Sequence, residues 1–220
     1  MSEHSRHDHD HPHGHDHEHE HGHTHAHDDP ARAQATQRVN ALVATLERSG
    51  VTSDAEITTT LERFLAQAGP SNGARLVARA WTDPLFKDLL LADGNAAIAE
   101  LGLNMTHWSP VKLVVVANTP DIHNVIVCTL CSCYPLALLG PAPTWYKSEA
   151  YRSRVVREPR AVLREFGVDL SDDIAINVWD STSDLRYLVV PMRPAGTDDL
   201  DEAQLAARIT RDALIGVSLP

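Results

Sequence analysis

The three cysteines of this 220-residue chain all lie within one short segment, at Cys128, Cys131 and Cys133. Their C-x-x-C-x-C spacing lets the three sulfurs meet at one point only if the backbone turns tightly around that point. Thiolate sulfur is a strong ligand for soft and borderline metal ions, so the cluster indicates a metal centre. A redox pair with a spare thiol, or an adventitious metal site, would show the same spacing.

Three sulfurs are too few for the common closed metal sites. A structural zinc site uses four Cys or His ligands, and the common iron–sulfur clusters use four thiolates. The side chains of Thr129, Leu130 and Ser132 are poor ligands, and His123 lies on the preceding extended segment. Backbone atoms of the turn, a partner chain or solvent must therefore complete the coordination. A position open to solvent is typical of catalytic sites rather than structural ones.

The segment Cys128–Pro135, which reads CTLCSCYP, resembles the metal-binding motif of the nitrile hydratase alpha subunit. That family also includes the gamma subunit of thiocyanate hydrolase. The resemblance extends from about Gly69 to Val217. Further matching segments are Trp145–Lys147, Tyr151–Arg160, Glu165–Gly167, Arg193–Asp198 and Thr210–Asp212.

The resemblance implies one Co(III) ion per chain, bound by the sulfurs of Cys128, Cys131 and Cys133 and by the deprotonated backbone amides of Ser132 and Cys133. Water or substrate would take the sixth position. It also implies that Cys131 is oxidised to sulfinic acid and Cys133 to sulfenic acid. Cys131, Ser132 and Cys133 would then be the catalytic residues. Threonine at position 129 is typical of the cobalt class, since the iron enzymes usually have serine there. Such an anionic ligand set suits a trivalent ion that acts as a Lewis acid.

On this resemblance, the chain is expected to be the alpha subunit of a cobalt-dependent nitrile hydratase, a lyase that converts a nitrile to an amide. The family pairs the oxidised cysteines with arginines of a beta subunit, because buried anions need charge-assisted donors. We therefore expect activity only with a beta partner, of one or two chains, in an αβ or α2β2-type heteromer. A metallochaperone or activator is a candidate further partner. Arg152, Arg154 and Arg157 are candidates for holding the loop or the interface, and surface salt bridges are the alternative for each.

Two departures from the family pattern leave the substrate open. Most nitrile hydratases have Trp-Pro where this chain has Leu136-Ala137, and that Trp lines the substrate pocket. The segment Met105–Pro110 lacks the glutamine that the family often places near the metal. Thiocyanate hydrolase gamma subunits depart at the same two places and also carry a His-rich N-terminus. The alternatives are therefore a bulky nitrile in a roomier pocket, hydrolysis of thiocyanate to carbonyl sulfide and ammonia, and a non-enzymatic cobalt carrier.

Composition excludes several other classes of function. The formal net charge of −11 argues against a nucleic-acid binder, which would present a basic face. No apolar run is long enough to span a membrane. No apolar segment follows the charged start, so no signal peptide is predicted, and a cytoplasmic location is expected.

The first 30 residues form a low-complexity segment. Histidine falls at every second position from His7 to His27, separated mostly by Asp, Glu, Gly and Pro. Such a composition buries no core, so residues 1–30 are expected to be a disordered tail. A metal-handling arm and a tail that binds metal by accident are both consistent with it.

The rest of the chain predicts helices first. An arm over residues 31–68 carries two helices, from Ala31 to Arg48 and from Ser53 to Ala68, which are expected to pack on a partner subunit. Residues 69–220 are expected to form the metal-binding catalytic domain. That domain opens with two helical pieces between Ser71 and Leu101.

The pattern then changes to strands. A dense β-branched run predicts a largely buried strand over 111–117, and a second extended run, His123–Val127, leads directly into the cysteine turn. Later segments predict helices at 159–166 and 201–210, strands at 174–179 and 186–192 joined by a hairpin-type loop, and an extended end at 214–219. This order indicates an α+β fold, and the layered α/β arrangement of the resembled family agrees with it. His123 could relay protons, but a satisfied structural histidine is the more common outcome.

Overall fold

The structure, a computed structural model, describes residues 30–105, 111–131 and 133–220. The predictions made for the His-rich segment, for residues 106–110 and for Ser132 lie outside the described residues. None of the described helices is both long and apolar enough to cross a membrane.

Contacts divide the chain into two units, residues 1–54 and 55–220. The first unit contains α1 (Pro30–Arg48), which confirms the helix predicted there and has no buried residue. A turn follows at Ser49-Gly50, where Gly50 adopts a positive φ of 69°. The second predicted helix is also confirmed, as α2 (Asp54–Gln67), and none of its residues is buried.

The segment predicted as two helices forms three, namely α3 (Pro70–Thr82), α4 (Pro84–Ala92) and α5 (Gly94–Glu100). The three helices are separated at two aspartates, each of which ends one helix and caps the next. The carboxylate of Asp83 accepts a hydrogen bond from the Phe86 amide, and that of Asp93 accepts one from the Ala96 amide. Such side-chain caps satisfy amides that have no partner within the helix. The second cap was missed because the apolar pattern continues through it.

Within the described residues, four strands form two parallel two-stranded sheets. The strands are β1 (Lys112–Ala117), β2 (Ile122–Val127), β3 (Ala175–Asp180) and β4 (Leu185–Val190). Strand β1 pairs with β4, so that Lys112 lies opposite Leu185, and β2 pairs with β3, so that Val127 lies opposite Asp180. Helices together with these small sheets confirm the predicted α+β class.

The hairpin-type loop predicted between β3 and β4 is wrong, because these two strands belong to different sheets. Ser181 still extends the first pairing, since its amide donates to Val127 O at 2.8 Å. Three residues later, Asp184 O accepts from the Lys112 amide at 2.8 Å, which begins the second pairing. A short polar loop between strands favours a hairpin, but here it carries the chain from one sheet to the other.

Several helices after the cysteine segment are very short. The sequence pattern missed α6 (Leu136–Leu139), α7 (Thr144–Lys147) and α8 (Glu149–Arg154), and predicted α9 (Pro159–Glu165) and α10 (Glu202–Ala206). A helix of one turn or two shows too few apolar positions to reveal a period of 3.6 residues.

The extended end predicted over 214–219 is wrong for Leu214 and Ile215, which are helical. Residues 211–215 form α11 (Arg211–Ile215), and the Thr210 hydroxyl caps it by accepting from the Ala213 amide. Gly216 ends the helix in the left-handed region with φ of 92°. A short apolar run is compatible with a strand or a buried helix. Here the Thr210 cap at the start and Gly216 at the end define a short helix.

Candidate metal centre

The cysteine segment begins where strand β2 ends. Five of the six residues of β2 are buried, and Cys128 follows Val127 directly. Exposure then rises abruptly, from 1% at Cys128 to 89% at Leu130. Cys131 is exposed and Cys133 is half-buried. The first sulfur is therefore anchored in the core, whereas the other two are accessible from outside the chain.

The three sulfurs converge as the spacing predicted. Cys131 Sγ lies 3.3 Å from Cys128 Sγ and 3.1 Å from Cys133 Sγ, and none of the three is in a disulfide. All three sulfurs lie within 4.8 Å of one another. For a metal–sulfur bond of about 2.3 Å, two sulfurs stand about 3.3 Å apart at a right angle and about 3.8 Å apart at a tetrahedral angle. The two short separations are within the range that three sulfur ligands of one metal ion require.

The protonation of Cys133 reflects these surroundings. Burial raises the pKa of the Cys133 thiol to about 12, and its hydrogen bond with Cys131 acts in the same direction. The positive charge of Arg186 opposes both effects. A thiol of this kind keeps its proton until a metal ion replaces it, so metal binding at this site releases protons.

Two tyrosine hydroxyls hold the backbone, one just before the first cysteine and one at the third. Tyr151 Oη donates to Ile126 O at 2.7 Å, and Tyr146 Oη donates to Cys133 O at 3.0 Å. Burial raises the pKa of both phenols, so both remain neutral hydrogen-bond donors. Tyr151 and Tyr146 come from α8 and α7, which the sequence pattern did not reveal as helices.

Thr129 is held by a residue that the sequence did not single out. Its amide donates to Asp180 Oδ1 at 2.9 Å, and its hydroxyl donates to Asp180 Oδ2 at 2.5 Å. Its carbonyl oxygen accepts from Arg152 Nη1 at 3.2 Å. Arg152 therefore contacts the cysteine loop. This contact agrees with the hypothesis that Arg152 helps to hold the loop.

The other two candidate arginines lie apart from the loop contacts. Arg154 pairs with Glu158 at 2.5 Å and with Glu165 at 2.6 Å, and these groups are solvent-accessible. This is the surface salt bridge that the sequence left as the alternative. Arg157 Nε donates to Ser153 O at 3.0 Å.

A cation that the sequence analysis missed lies beside the third sulfur. Arg186 of β4 donates through Nε to Tyr134 O at 3.3 Å. Its Nη1 donates to three carbonyl oxygens of the β3–β4 loop and of β4, namely those of Thr182, Ser183 and Leu185. These bonds fix its charge near Cys133, where it favours the thiolate. No local signal marks this arginine, because only the pairing of β4 brings it to the loop.

His123 fits the structural alternative rather than a proton relay. It is buried near the start of β2, whereas the cysteines follow the end of that strand. Its Nε2 lies 2.7 Å from Gly216 O and its Nδ1 lies 3.2 Å from Asn118 Nδ2. The carbonyl can only accept, so Nε2 carries the proton and Nδ1 accepts from the amide group of Asn118. Burial lowers the pKa of this imidazole.

This histidine should make stability depend on pH. Its folded pKa lies below the ordinary value of 6.5, so its contribution is complete above that pH and is lost as the pH falls further. We expect the free energy of unfolding to fall between pH 7.5 and 5.5 by up to about 1.4 kcal/mol per pH unit from this group. Urea unfolding of the wild type and of His123→Gln at both pH values measures the difference. Equal losses in the two proteins would contradict the assignment, because the other histidines are common to both.

A large cavity lies at the far end of β2 from the cysteines. It has a volume of about 430 Å³, and its lining includes His123, Met192 and the C-terminal Leu219-Pro220. Beside the cysteine loop lies an open concavity of about 330 Å³, which Thr129, Arg152 and Val156 help to line. Within the described residues, Cys131 is therefore exposed and Cys133 partly exposed beside this concavity, whereas Cys128 is buried.

Comparison with known proteins identifies chains of the same kind. The family described as "Nitrile hydratase, alpha chain" matches residues 33–218, so the similarity begins well before Gly69. The alpha subunit of the low-molecular-weight cobalt-containing nitrile hydratase of Rhodococcus rhodochrous is 49% identical over 83% of this chain and 87% of its own. The thiocyanate hydrolase gamma subunit of Thiobacillus thioparus is 46% identical over 71% of this chain and 68% of its own.

A solved structure has the same fold. A double mutant of the Fe-type nitrile hydratase of Comamonas testosteroni Ni1 superposes with a TM-score of 0.74 at 48% identity. The match covers 87% of this chain and 91% of the other. The likeness therefore includes the helices before the cysteine segment as well as the sheets that position it.

Proposed function

Since this chain belongs to the nitrile hydratase alpha-chain family, we propose that it is the alpha subunit of a cobalt-dependent nitrile hydratase, which hydrates a nitrile to the corresponding amide. The observation that carries the proposal is the convergence of the three cysteine sulfurs at the end of β2. Their spacing allows all three to bind one metal ion, and two of the three cysteines are at least partly exposed.

The proposed ligands are the sulfurs of Cys128, Cys131 and Cys133 and the backbone amides of Ser132 and Cys133. We also propose that Cys131 becomes a sulfinic acid and Cys133 a sulfenic acid. Exposure supports this division, because oxidation of a cysteine requires access. Cys131 is exposed and Cys133 half-buried, whereas Cys128, 1% exposed, is protected and stays a thiolate.

Cobalt bound here would supply a Lewis acid that polarises the nitrile or activates water. The chain's own residues prepare the surroundings. Cys128 anchors the loop in the core, and Arg186 places a positive charge where Cys133 carries a negative one. The Tyr146 phenol holds the carbonyl of Cys133. Substrate would approach from the side of Cys131 and Cys133.

We propose cobalt rather than iron as the metal. Thr129 matches the cobalt class of the resembled motif, and the Rhodococcus rhodochrous relative is named as a cobalt-containing enzyme. The superposed structure is an Fe-type enzyme, so the fold alone does not choose between the two metals. Elemental analysis of the purified protein decides between them.

A beta subunit is proposed to cover the site, in an αβ or α2β2-type assembly. Leu130, with 89% of its surface exposed, stands beside the exposed Cys131 at the tip of the loop. An exposed apolar side chain at a reactive centre marks an interaction surface. The arm over residues 31–68 is proposed to pack on the same partner, because Leu42 on α1 and Ile57 and Leu61 on α2 are at least half exposed.

Thiocyanate hydrolysis is the second candidate function. The Thiobacillus thioparus gamma subunit is 46% identical to this chain, close to the value for the nitrile hydratase relative. Leu136, which stands where most of the family has Trp, is half-buried at the start of α6, immediately after the cysteine loop. A smaller side chain there widens the space next to the site, which suits either a bulky nitrile or a different substrate.

The test is a product assay on the complex purified with its natural partner chain. Small nitriles, bulky nitriles and thiocyanate are offered in parallel. Amide from a nitrile is the expected product, with a bulky nitrile preferred over a small one. Ammonia and carbonyl sulfide from thiocyanate, with all nitriles inert, would assign the second function instead.

A further inference from the structure

Residue 129 lies between the first two cysteines, and each of its hydrogen-bonding groups has a partner. Asp180 accepts from both the amide and the hydroxyl of Thr129, at 2.9 and 2.5 Å. Arg152 Nη1 donates to the Thr129 carbonyl oxygen at 3.2 Å. A carboxylate and a guanidinium thus bind one residue from two directions, and bonds to charged groups are the stronger ones.

The two charged groups come from elements that are fixed independently of the loop. Asp180 is the last residue of β3, in register with Val127 of β2. Arg152 lies on α8, where the neighbouring Tyr151 bonds to Ile126 O at 2.7 Å and Ser148 caps the helix. Both groups are therefore in place beside the end of β2 before any metal binds.

Residues 130 and 131, which complete the segment from the first cysteine to the second, have little support from the core. Leu130 is 89% exposed and Cys131 is exposed, so apolar packing does not define their positions. The sulfur of Cys131 must nevertheless sit 3.3 Å from that of Cys128. The Cys131 amide donates to Cys128 Sγ at 3.4 Å, and the contacts of Thr129 with Asp180 and Arg152 fix the start of the chain between these two cysteines.

We propose that Asp180 and Arg152 form a clamp on Thr129 that holds the cysteine loop in its metal-binding conformation. On this view, the hydroxyl at position 129 acts through its donated bond to Asp180 and not as a metal ligand. Serine would keep the same hydroxyl and the same amide, so exchange of threonine for serine leaves the clamp intact. The metal part of this proposal rests on the proposed function. The loop part does not.

Four substitutions separate the roles of the clamp. Thr129→Ser keeps all of its hydrogen bonds. Thr129→Val keeps the shape of the side chain but loses the bond from the hydroxyl to Asp180. Asp180→Ala loses both bonds to the carboxylate. Asp180→Asn keeps a side chain that can accept from the Thr129 amide, and is the conservative partner of Asp180→Ala.

The first readout needs no metal. Amide hydrogen exchange is measured on the metal-free full-length chain, over residues 128–131. We expect exchange to be roughly tenfold faster in Asp180→Ala, because an amide that loses a hydrogen bond to a charged group opens more readily. Thr129→Ser should match the wild type. Unchanged exchange in Asp180→Ala would overturn the clamp, whatever metal the protein binds.

The second readout is cobalt binding by the complex with its partner, followed through the sulfur-to-cobalt absorption during competition with a chelator. That absorption reports cobalt at the cysteines and not at histidines. We expect Thr129→Val and Asp180→Ala to release cobalt roughly tenfold more readily, in line with the effect of residues that orient metal ligands. Thr129→Ser should again match the wild type.

The outcomes separate the two proposals. Wild-type affinity in both Thr129→Val and Asp180→Ala would overturn the clamp and leave the proposed function standing. Loss of affinity in Thr129→Ser as large as in Thr129→Val would also overturn it, since a side chain that keeps the hydroxyl would then hold the loop no better than one that lacks it. A wild-type protein without the sulfur absorption would refute the proposed metal centre, and hydrogen exchange would still decide the clamp.

Discussion

Replacement of Cys131 by alanine is expected to remove the cobalt from the cysteine loop and to lower turnover by roughly a thousandfold or more. The sulfur of Cys131 contacts both of the others, at 3.3 Å and 3.1 Å, so it is the central member of the triad. Its loss leaves the metal with two of its three proposed sulfur ligands. A Lewis acid contributes several kcal/mol to such a reaction, and about 4 kcal/mol corresponds to a thousandfold change in rate.

The measurement combines cobalt analysis, the sulfur-to-cobalt absorption and turnover on a nitrile, all on the complex after a chelator wash. The wash matters because imidazole is itself a ligand for cobalt ions, and the chain contains 14 histidines. Ser153→Ala is a suitable control, because this exposed hydroxyl lies on α8 outside the sulfur cluster. Full cobalt occupancy with undiminished sulfur absorption in Cys131→Ala would refute the ligand assignment.

Replacement of Gly216 by alanine is expected to destabilise the fold by at least about 4 kcal/mol, which is exceptional for a single substitution. A Cβ at this position would lie 1.9 Å from Asn124 O and 3.1 Å from Val125 Cα, both in the backbone of β2. Backbone atoms of a buried strand cannot move aside as a flexible side chain can. The residue also has a φ of 92°, which is strained for any side chain.

Gly167→Ala is the matched control for this steric effect. Gly167 has a similar φ of 84°, but a Cβ there would meet nothing within 4 Å. The free energy of unfolding of Gly167→Ala should therefore fall only by the cost of the left-handed conformation, about 1–2 kcal/mol. Urea unfolding of the two variants and the wild type gives the comparison. Similar losses at both positions would show that the close approach of Gly216 to β2 is not what requires glycine.

The cysteine segment and the strand before it could be predicted because their signals are local. Three sulfurs within six residues and a β-branched strand leading into them are visible without any knowledge of the rest of the chain. The same holds for α1 and α2, whose apolar positions recur over several turns.

The groups that hold the loop could not be predicted, because strand pairing brings them there. Asp180 is 51 residues from Thr129, and Arg186 is 52 residues from Tyr134. Asp180 arrives because β3 pairs with β2 in parallel, and Arg186 arrives because β4, paired with β1 in the other sheet, also contacts β2. The sequence suggested instead that β3 and β4 form a hairpin, which would have given these residues different neighbours.

We propose that one cobalt ion is held by the three cysteine sulfurs of this chain. Cobalt K-edge X-ray absorption on the purified complex counts the sulfur neighbours of the metal. We expect three sulfurs per cobalt, with nitrogen or oxygen in the remaining positions. A first shell without sulfur would show that the three cysteines do not hold the metal.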